Sequence, residues 1–323
     1  MAVYTQLGAE AMARLIASFD VGSVISAKGI AEGVSNSNFL VETETGRFIL
    51  TIYEERTDLA DLPFFLGLLD YLAAAGSPVP RTIHDADGAE FRHIETAQGE
   101  AKAAALIEFL PGISPDRPEP AQARAVGSAL AGIHVAAKGF DGTRANGMGH
   151  AAWRHFVASC KGRWSEIDVS LERVPELVET VIADWPQDLP QSIIHADLFP
   201  DNVLMIDNEV TGLIDFYFAC EGAMAYDLAV THAAWCFAPD GTRFSPELAG
   251  ALIEGYEAIR PLDPAERAAL PLLARGASLR FLLTRAYDWL NTPADALVTR
   301  KDPAAFLARH DFYAETGAAA FAR

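Results

Sequence analysis

Four polar side chains in one stretch, residues 192–216 (SIIHADLFPDNVLMIDNEVTGLIDF), have the types and spacing to do chemistry. His195 and Asp197 follow a short apolar run, Asn202 stands five residues after Asp197, and Asp215 ends a later apolar run. A carboxylate can accept a proton, and amide and carboxylate oxygens are hard ligands suited to magnesium. One base and two oxygen ligands are therefore the expected contents of the cluster, with His195 bracing the loop. Each residue alone has a plainer reading: His195 as a core histidine, Asp201 as a solvated turn residue, Asp215 as a turn or cap.

The spacing favours the joint reading. His-x-Asp-x4-Asn is the pattern of a kinase catalytic loop, in which the Asp takes the proton of the attacking hydroxyl and the Asn binds magnesium. Asp215, before Phe216, stands where that pattern puts its second metal-binding Asp. Phosphoryl transfer needs an oriented nucleophile and cations beside the phosphates more than covalent help. Other chemistries fit worse. A zinc hydrolase would want a further His or Cys pair, and His134 and His232 are single residues in helical patterns. Neither a Gly-x-Ser-x-Gly elbow nor a Walker lysine motif is present.

Length and composition bound the scaffold that must position these groups. At 323 residues the chain can form two domains with a substantial core. With 44 acidic against 25 basic residues it carries a formal charge of -19, which argues against nucleic acid as a partner. Cys160, Cys220 and Cys236 suggest reduced thiols rather than disulfides or a zinc site. The first twenty residues read as an amphipathic helix and not as a signal peptide, and no uncharged apolar run is long enough to span a membrane, so a cytoplasmic protein is expected.

In order, a strand is expected at 23–27, a hairpin at 38–42 and 48–53 around the turn 44–46, and a helix at 61–75 capped by Gly76. Residues 78–84 read as extended, 85–88 as a turn and 101–110 as an apolar strand. The loop holding Gly29, Gly33, Ser35 and Asn36 has small residues that would let backbone N–H groups approach a phosphate, although an ordinary turn has the same composition. Four prolines in 111–120 mark a boundary, giving domains 1–110 and 111–323. Beyond it helices are expected at 120–137, 153–170, 174–184, 224–237, 246–260, 264–290 and 303–319.

The segments HADLFPDNVL and GLIDFYFACEGAMAYDLA resemble the aminoglycoside phosphotransferase and choline kinase-like superfamily. GIAEGVSNSNF, RFILTIYE, DLPFFLGLLDYL, SPVP and LIDFYFAC narrow the resemblance to the kinase-fold homoserine kinases, from Tyr4 to about Pro303. That resemblance implies an α+β, protein kinase-like fold with a small antiparallel β-rich lobe and a larger helical one. It implies ATP and Mg2+, phosphorylation of the hydroxyl of L-homoserine on the route to threonine, Asp197 as base, and Asn202 and Asp215 as metal ligands. The loop 29–38 would cover ATP, and Glu108 to Leu110 would meet adenine. Asp227 would brace the catalytic loop from a helix start, where a carboxylate suits the helix dipole.

Homoserine carries an ammonium and a carboxylate, so Glu221 or Asp288 would serve the first, Arg280 or Arg285 the second, and Tyr217 would lie within touch. Surface salt bridges are the plainer reading of both arginines. The sequence departs from the superfamily at Thr51, where a Lys or Arg normally meets the phosphates, and at Phe65, where its Glu partner is expected. Loss of both together leaves no buried carboxylate unpaired. Either another cation serves, or the chain is a pseudokinase; a kinase for another small alcohol or amino sugar is a further alternative. Intact base and metal positions favour an active enzyme.

Overall fold

The computed structural model describes residues 5–30, 36–54, 58–95, 99–292 and 300–322, and the chain divides into two compact units, Met1–Pro111 and Gly112–Arg323. In the first, α1 (Ala9–Ala17) precedes β1 (Val24–Ile30), β2 (Ser37–Thr43) and β3 (Arg47–Tyr53). Then come α2 (Leu62–Ala74), β4 (Thr82–Ile83), β5 (Arg92–Glu95) and β6 (Ala101–Glu108). The strands form one antiparallel sheet in the order β1-β2-β3-β6-β4, with β5 also paired to β6.

Strand parity sorts the side chains of this sheet. Leu50 and Ile52 of β3 and Ala104 and Leu106 of β6 form one core with Met12, Leu15 and Ile16 of α1. Thr51, paired with Asn38 and Ala105, therefore points to the opposite face. The helix α2 is fastened beside β4, where Asp70 accepts the Thr82 N–H at 2.9 Å and the Thr82 hydroxyl donates to the Leu66 carbonyl at 3.0 Å. Gly76, at φ 84°, ends α2 in the left-handed conformation expected of a glycine stop.

The second unit is mostly helical: α3 (Pro120–Ala136), α4 (His150–Ser159) and α5 (Val174–Ala183), then α6 (Met224–Trp235), α7 (Pro246–Ile259), α8 (Pro264–Asn291) and α9 (Ala304–Thr316). Two small ladders interrupt the helices. β7 (Gln191–Ile194) pairs with β10 (Cys220–Ala223), and β8 (Val203–Ile206) pairs with β9 (Glu209–Leu213). Close crossing of α3 and α7 depends on glycine, since a Cβ on Gly127 would lie 2.1 Å from the Leu252 carbonyl oxygen and one on Gly255 would lie 2.0 Å from that of Arg124. No helix among the described residues is long and apolar enough to cross a membrane.

Several expectations need correction. The helix expected at 153–170 ends at Ser159, because Gly162 takes φ 76° and the chain continues through short 3-10 turns at Trp164–Glu166 and Val169–Arg173. The first strand extends to Ile30, so Gly29 lies in the ladder opposite Phe39, at the end of a strand rather than in a loop. Two strands go beyond those expected: β5 is a polar edge segment and β10 is the short sequence CEGA. The three cysteines are free and buried.

Candidate active site

The catalytic loop is held first by its backbone. β7 delivers His195, whose N–H donates to Asp227 Oδ2 at 2.7 Å, while the next N–H, of Ala196, donates to Oδ1 of the same carboxylate at 2.7 Å. Ala196 is in the left-handed region at φ 63°, a conformation that costs a non-glycine residue on the order of 1 kcal/mol and persists where surrounding bonds over-determine it. Asp227 sits in the first turn of α6, fully buried. His134 Nε2 also meets Oδ2 at 2.9 Å, and His134 Nδ1 meets the Tyr256 hydroxyl at 2.9 Å. Burial pushes the Asp227 carboxyl up, but the bonds from His134 and the His195 backbone outweigh it and hold the group below the usual carboxylate range. The expected brace is thus in place, and its second storey is the α3–α7 crossing that sets Tyr256 beside His134.

His195 completes the frame. Its Nε2 lies 2.9 Å from the Ile214 carbonyl, which can only accept, so Nε2 carries the proton. Nδ1 then accepts the Asp197 N–H at 3.3 Å. Burial lowers the proton affinity of the ring and keeps it neutral.

Asp197 follows, its backbone carbonyl accepting from Asn202 Nδ2 at 2.8 Å. Its Oδ1 lies 3.7 Å from Arg280 Nη1. Burial, opposed by Arg280 and reinforced by the charges of Asp215 and Asp201, pushes its pKa up to about 7. A base poised near neutrality is matched to taking a proton from an alcohol. The β8–β9 ladder sets Asn202 against the strand leading to Asp215, with the Ile214 N–H donating to the Asn202 carbonyl at 3.0 Å. Asp215 has φ 64°, and although water reaches it, desolvation by the surrounding protein and the charge of Asp201 raise its pKa to about 6.

This donor set fits a hard divalent cation. The Asn202 amide spends its N–H on Asp197, which leaves its oxygen to coordinate, and Asp215 has no cationic partner among the described residues. No group of three or more His, Cys, Asp or Glu that could hold a metal occurs among the described residues. A cation here would draw its remaining ligands from phosphate oxygens and water, as magnesium commonly does.

The other candidate residues are placed as follows. Tyr217 is half-buried directly after Asp215 and Phe216. Glu221 is in β10, exposed, with its N–H on the Arg144 carbonyl at 2.8 Å. Arg280 is not on the surface: it is 3% exposed, bonds the Ala196 carbonyl through Nη1, and packs 4.9 Å from the Phe218 ring and 4.3 Å from that of Phe281. Gly33 and Ser35 lie outside the described residues. Asn36 is buried, its side-chain oxygen accepting the Glu54 N–H at 3.2 Å, which braces the end of β3. Glu108 pairs with Arg81 at 3.3 Å and its N–H donates to the Arg81 carbonyl at 2.8 Å; Leu110 is half-buried beyond it. The Thr51 hydroxyl donates to Asn38 Oδ1 at 2.8 Å.

Residue-by-residue reading misses three contributors. It considers His134 only as a metal ligand, it treats Asp201 as a turn residue although the charge of that group reaches both Asp197 and Asp215, and it overlooks the clamp of Arg280 on Ala196. The position of His134 on the inward face of its helix, with Val126, Leu130 and Ile133, is the available signal.

The sequence and the fold both match known proteins. The profile of the phosphotransferase enzyme family matches residues 26–270. A homoserine kinase of Gluconobacter oxydans is 48% identical over 96% of this chain and 97% of its own, and one of Acidiphilium cryptum is 46% identical over 99% of both. Among solved structures, an amicoumacin kinase in complex with AMP-PNP and Ca2+ superposes with a TM-score of 0.72 at 16% identity, covering 97% of this chain and 95% of its own, which shows a shared fold. The chain belongs to the phosphotransferase enzyme family and, within it, to the homoserine kinases.

Proposed function

We propose that the chain transfers the γ-phosphoryl group of ATP to the side-chain hydroxyl of L-homoserine, giving O-phospho-L-homoserine and ADP. The hydroxyl oxygen attacks phosphorus in line, the new O–P bond forms as the bridging bond to ADP breaks, and the hydroxyl proton passes to Asp197. The carrying observation is the placement of Asp197: a carboxylate whose pKa is about 7, on a loop fixed by Asp227, His195 and Arg280. Asn202 and Asp215 would hold magnesium, which when bound neutralises charge on the phosphate oxygens. The backbone at 108–110 would receive adenine, and Tyr217 and Glu221 would contact the acceptor, Glu221 meeting its ammonium. A cytoplasmic setting, with no nucleic-acid or membrane partner, accords with this reading.

Two measurements test it. ADP release with L-homoserine should exceed release with choline, methylthioribose or an aminoglycoside; an equal or better rate on any of these overturns the acceptor assignment. Asp197→Asn should cost on the order of 1,000-fold in kcat while ATP still binds. Thr51 motivates a second reading, a nucleotide-binding module without turnover, which absence of ADP release from the wild type with every hydroxyl acceptor would support.

A further inference from the structure

Of the four arginines of helix α8, Arg280 and Arg285 are five residues apart, so they lie about 140° apart around its axis and about 7.5 Å along it. Their surroundings differ. Arg280 is enclosed: the Ala196 carbonyl holds Nη1, Phe218 and Phe281 cover its guanidinium, and its Nε is buried without a partner. At 3% exposure it is closed to solvent, and its Nη1 also lies 3.7 Å from Asp197 Oδ1. Arg285 is half-buried and stacks 4.5 Å from the Phe306 ring. Its Nη1 donates to the Asp302 carbonyl at 3.2 Å, while the Asp302 carboxylate is occupied with the Ala304 N–H at 2.8 Å.

Among the described residues Arg285 forms no ion pair with a carboxylate, and its hydrogen bond there is that of Nη1 to the Asp302 carbonyl, which leaves Nε and Nη2 without an acceptor among them. Those two nitrogens form the side-on edge of a guanidinium, whose parallel N–H bonds match a carboxylate. The residue also lies near the chemistry. Phe306 contacts Phe281 at 5.2 Å and Phe199 at 6.2 Å, and Phe199 follows the base by two positions. Burial lowers the proton affinity of Arg285 to about 10, against the fields of Asp302, Asp201 and Asp197, so the cation persists at neutral pH within reach of the base's charge. A cation taken half out of water with one neutral partner has lost solvation that an anion would restore.

We propose that Arg285 binds the carboxylate of the acceptor amino acid, and that Arg280 acts instead through Ala196 as a positioning residue for Asp197. The assignment rests on homoserine as substrate, and it makes Arg285 the group that separates homoserine from uncharged amino alcohols. Lys301, exposed and also within the field of Asp197, is the rival cation.

The test compares kcat/KM for L-homoserine with that for 3-amino-1-propanol, which is homoserine without its carboxylate. The wild type, Arg285→Met, Arg285→Lys, Arg280→Met and Lys301→Met are measured side by side, with equilibrium binding of both acceptors in parallel for cases of slow turnover. A ratio between acceptors does not depend on the fraction of enzyme that is folded. Arg285→Met should lower the homoserine to aminopropanol ratio about 100-fold, mainly through KM for homoserine, with partial recovery in Arg285→Lys. Arg280→Met should lower kcat for both acceptors alike and leave the ratio unchanged. A ratio unchanged in Arg285→Met, or one that collapses in Lys301→Met or Arg280→Met instead, overturns the assignment. Failure of the wild type to prefer homoserine would overturn the substrate reading itself, a result the variant ratios do not mimic.

Discussion

The catalytic loop and the Thr51 face of the sheet handle charge in opposite ways. Behind the loop, three ionisable groups are buried and tied to named partners: Asp227 to His134 and two backbone N–H groups, His195 to Ile214, Arg280 to Ala196. At Thr51 the described contacts are neutral, a hydroxyl on the Asn38 amide beside Ala105. The nearby Lys102 does not fill the gap. Its Nζ lies 2.5 Å from Glu54 Oε2 and 2.8 Å from the Thr5 hydroxyl, and strand alternation puts it with Ala104 and Leu106 on the α1 face, opposite to Thr51. The difference teaches that the loop of the helical unit is held by buried charge bonded to backbone groups, while in the β-rich unit the Lys102–Glu54 pair fastens the N-terminal segment at Thr5.

The contrast breaks first at Asp227. Replacing it by Ala leaves the His195 and Ala196 N–H groups and His134 without their acceptor in a fully buried place, and should cost about 3–5 kcal/mol in chemical denaturation. Loss of less than about 1 kcal/mol would mean that the loop is held by its sequence neighbours rather than by α6.

Asp197 gives the next largest effect, with a definite sign. Its folded pKa, about 7, is above the ordinary 3.8, so the folded protein binds more protons than the unfolded chain across that interval. The group therefore destabilises the fold increasingly as pH rises from about 4 to about 7, by up to about 1.4 kcal/mol for each pH unit. Asp197→Asn should accordingly raise the thermal midpoint of the metal-free protein at pH 8, by the equivalent of about 2 kcal/mol, and by much less at pH 5. An equal change at both pH values would show that Arg280 already compensates the charge.

How far the sequence reveals these two regions follows from the range of the interactions. The β8–β9 hairpin and its polar ends were legible because Asp197, Asn202 and Asp215 lie close together in one local stretch of chain. The same is true of the β2–β3 hairpin and of α2 with its Gly76 stop. Arg280 and His134 are far from the loop in the chain, and the α3–α7 crossing that seats His134 depends on Gly127 and Gly255, which read as ordinary helix residues until Leu252 and Arg124 are placed against them. Gly29 reads as a loop residue because glycine suits a loop and a strand end equally in composition; only the pairing with Phe39 shows that it lies in β1.

Lys102 sharpens the comparison from the other side. The Lys102 and Glu54 side chains are 14% and 10% exposed, so removing the lysine leaves a carboxylate largely out of water. Lys102→Met should cost about 1–2 kcal/mol of stability, because Glu54 keeps the hydroxyls of Ser37 and Thr5, and should change kcat by less than about threefold. A loss in kcat near 100-fold at unchanged stability would make Lys102 the phosphate cation and defeat the parity argument.

The smallest expected effect is at Thr51 itself. Thr51→Val keeps the shape of a β-branched residue in β3 and removes one neutral bond, leaving the half-buried Asn38 oxygen without that donor. The cost should be about 0.5–1.5 kcal/mol in stability, with KM for ATP unchanged within about twofold. If Thr51 contributed to phosphate binding through its hydroxyl, KM for ATP would instead rise about tenfold, in line with loss of a hydrogen bond to a charged group. Thr51→Lys asks the complementary question. Thr51 is 3% exposed and its side chain bonds the neutral Asn38 amide, so the new ammonium would enter a buried place with no anion among its described contacts. It should destabilise the protein more than Thr51→Val does and should not raise kcat. A rise in kcat would show that this face still awaits the cation it lacks.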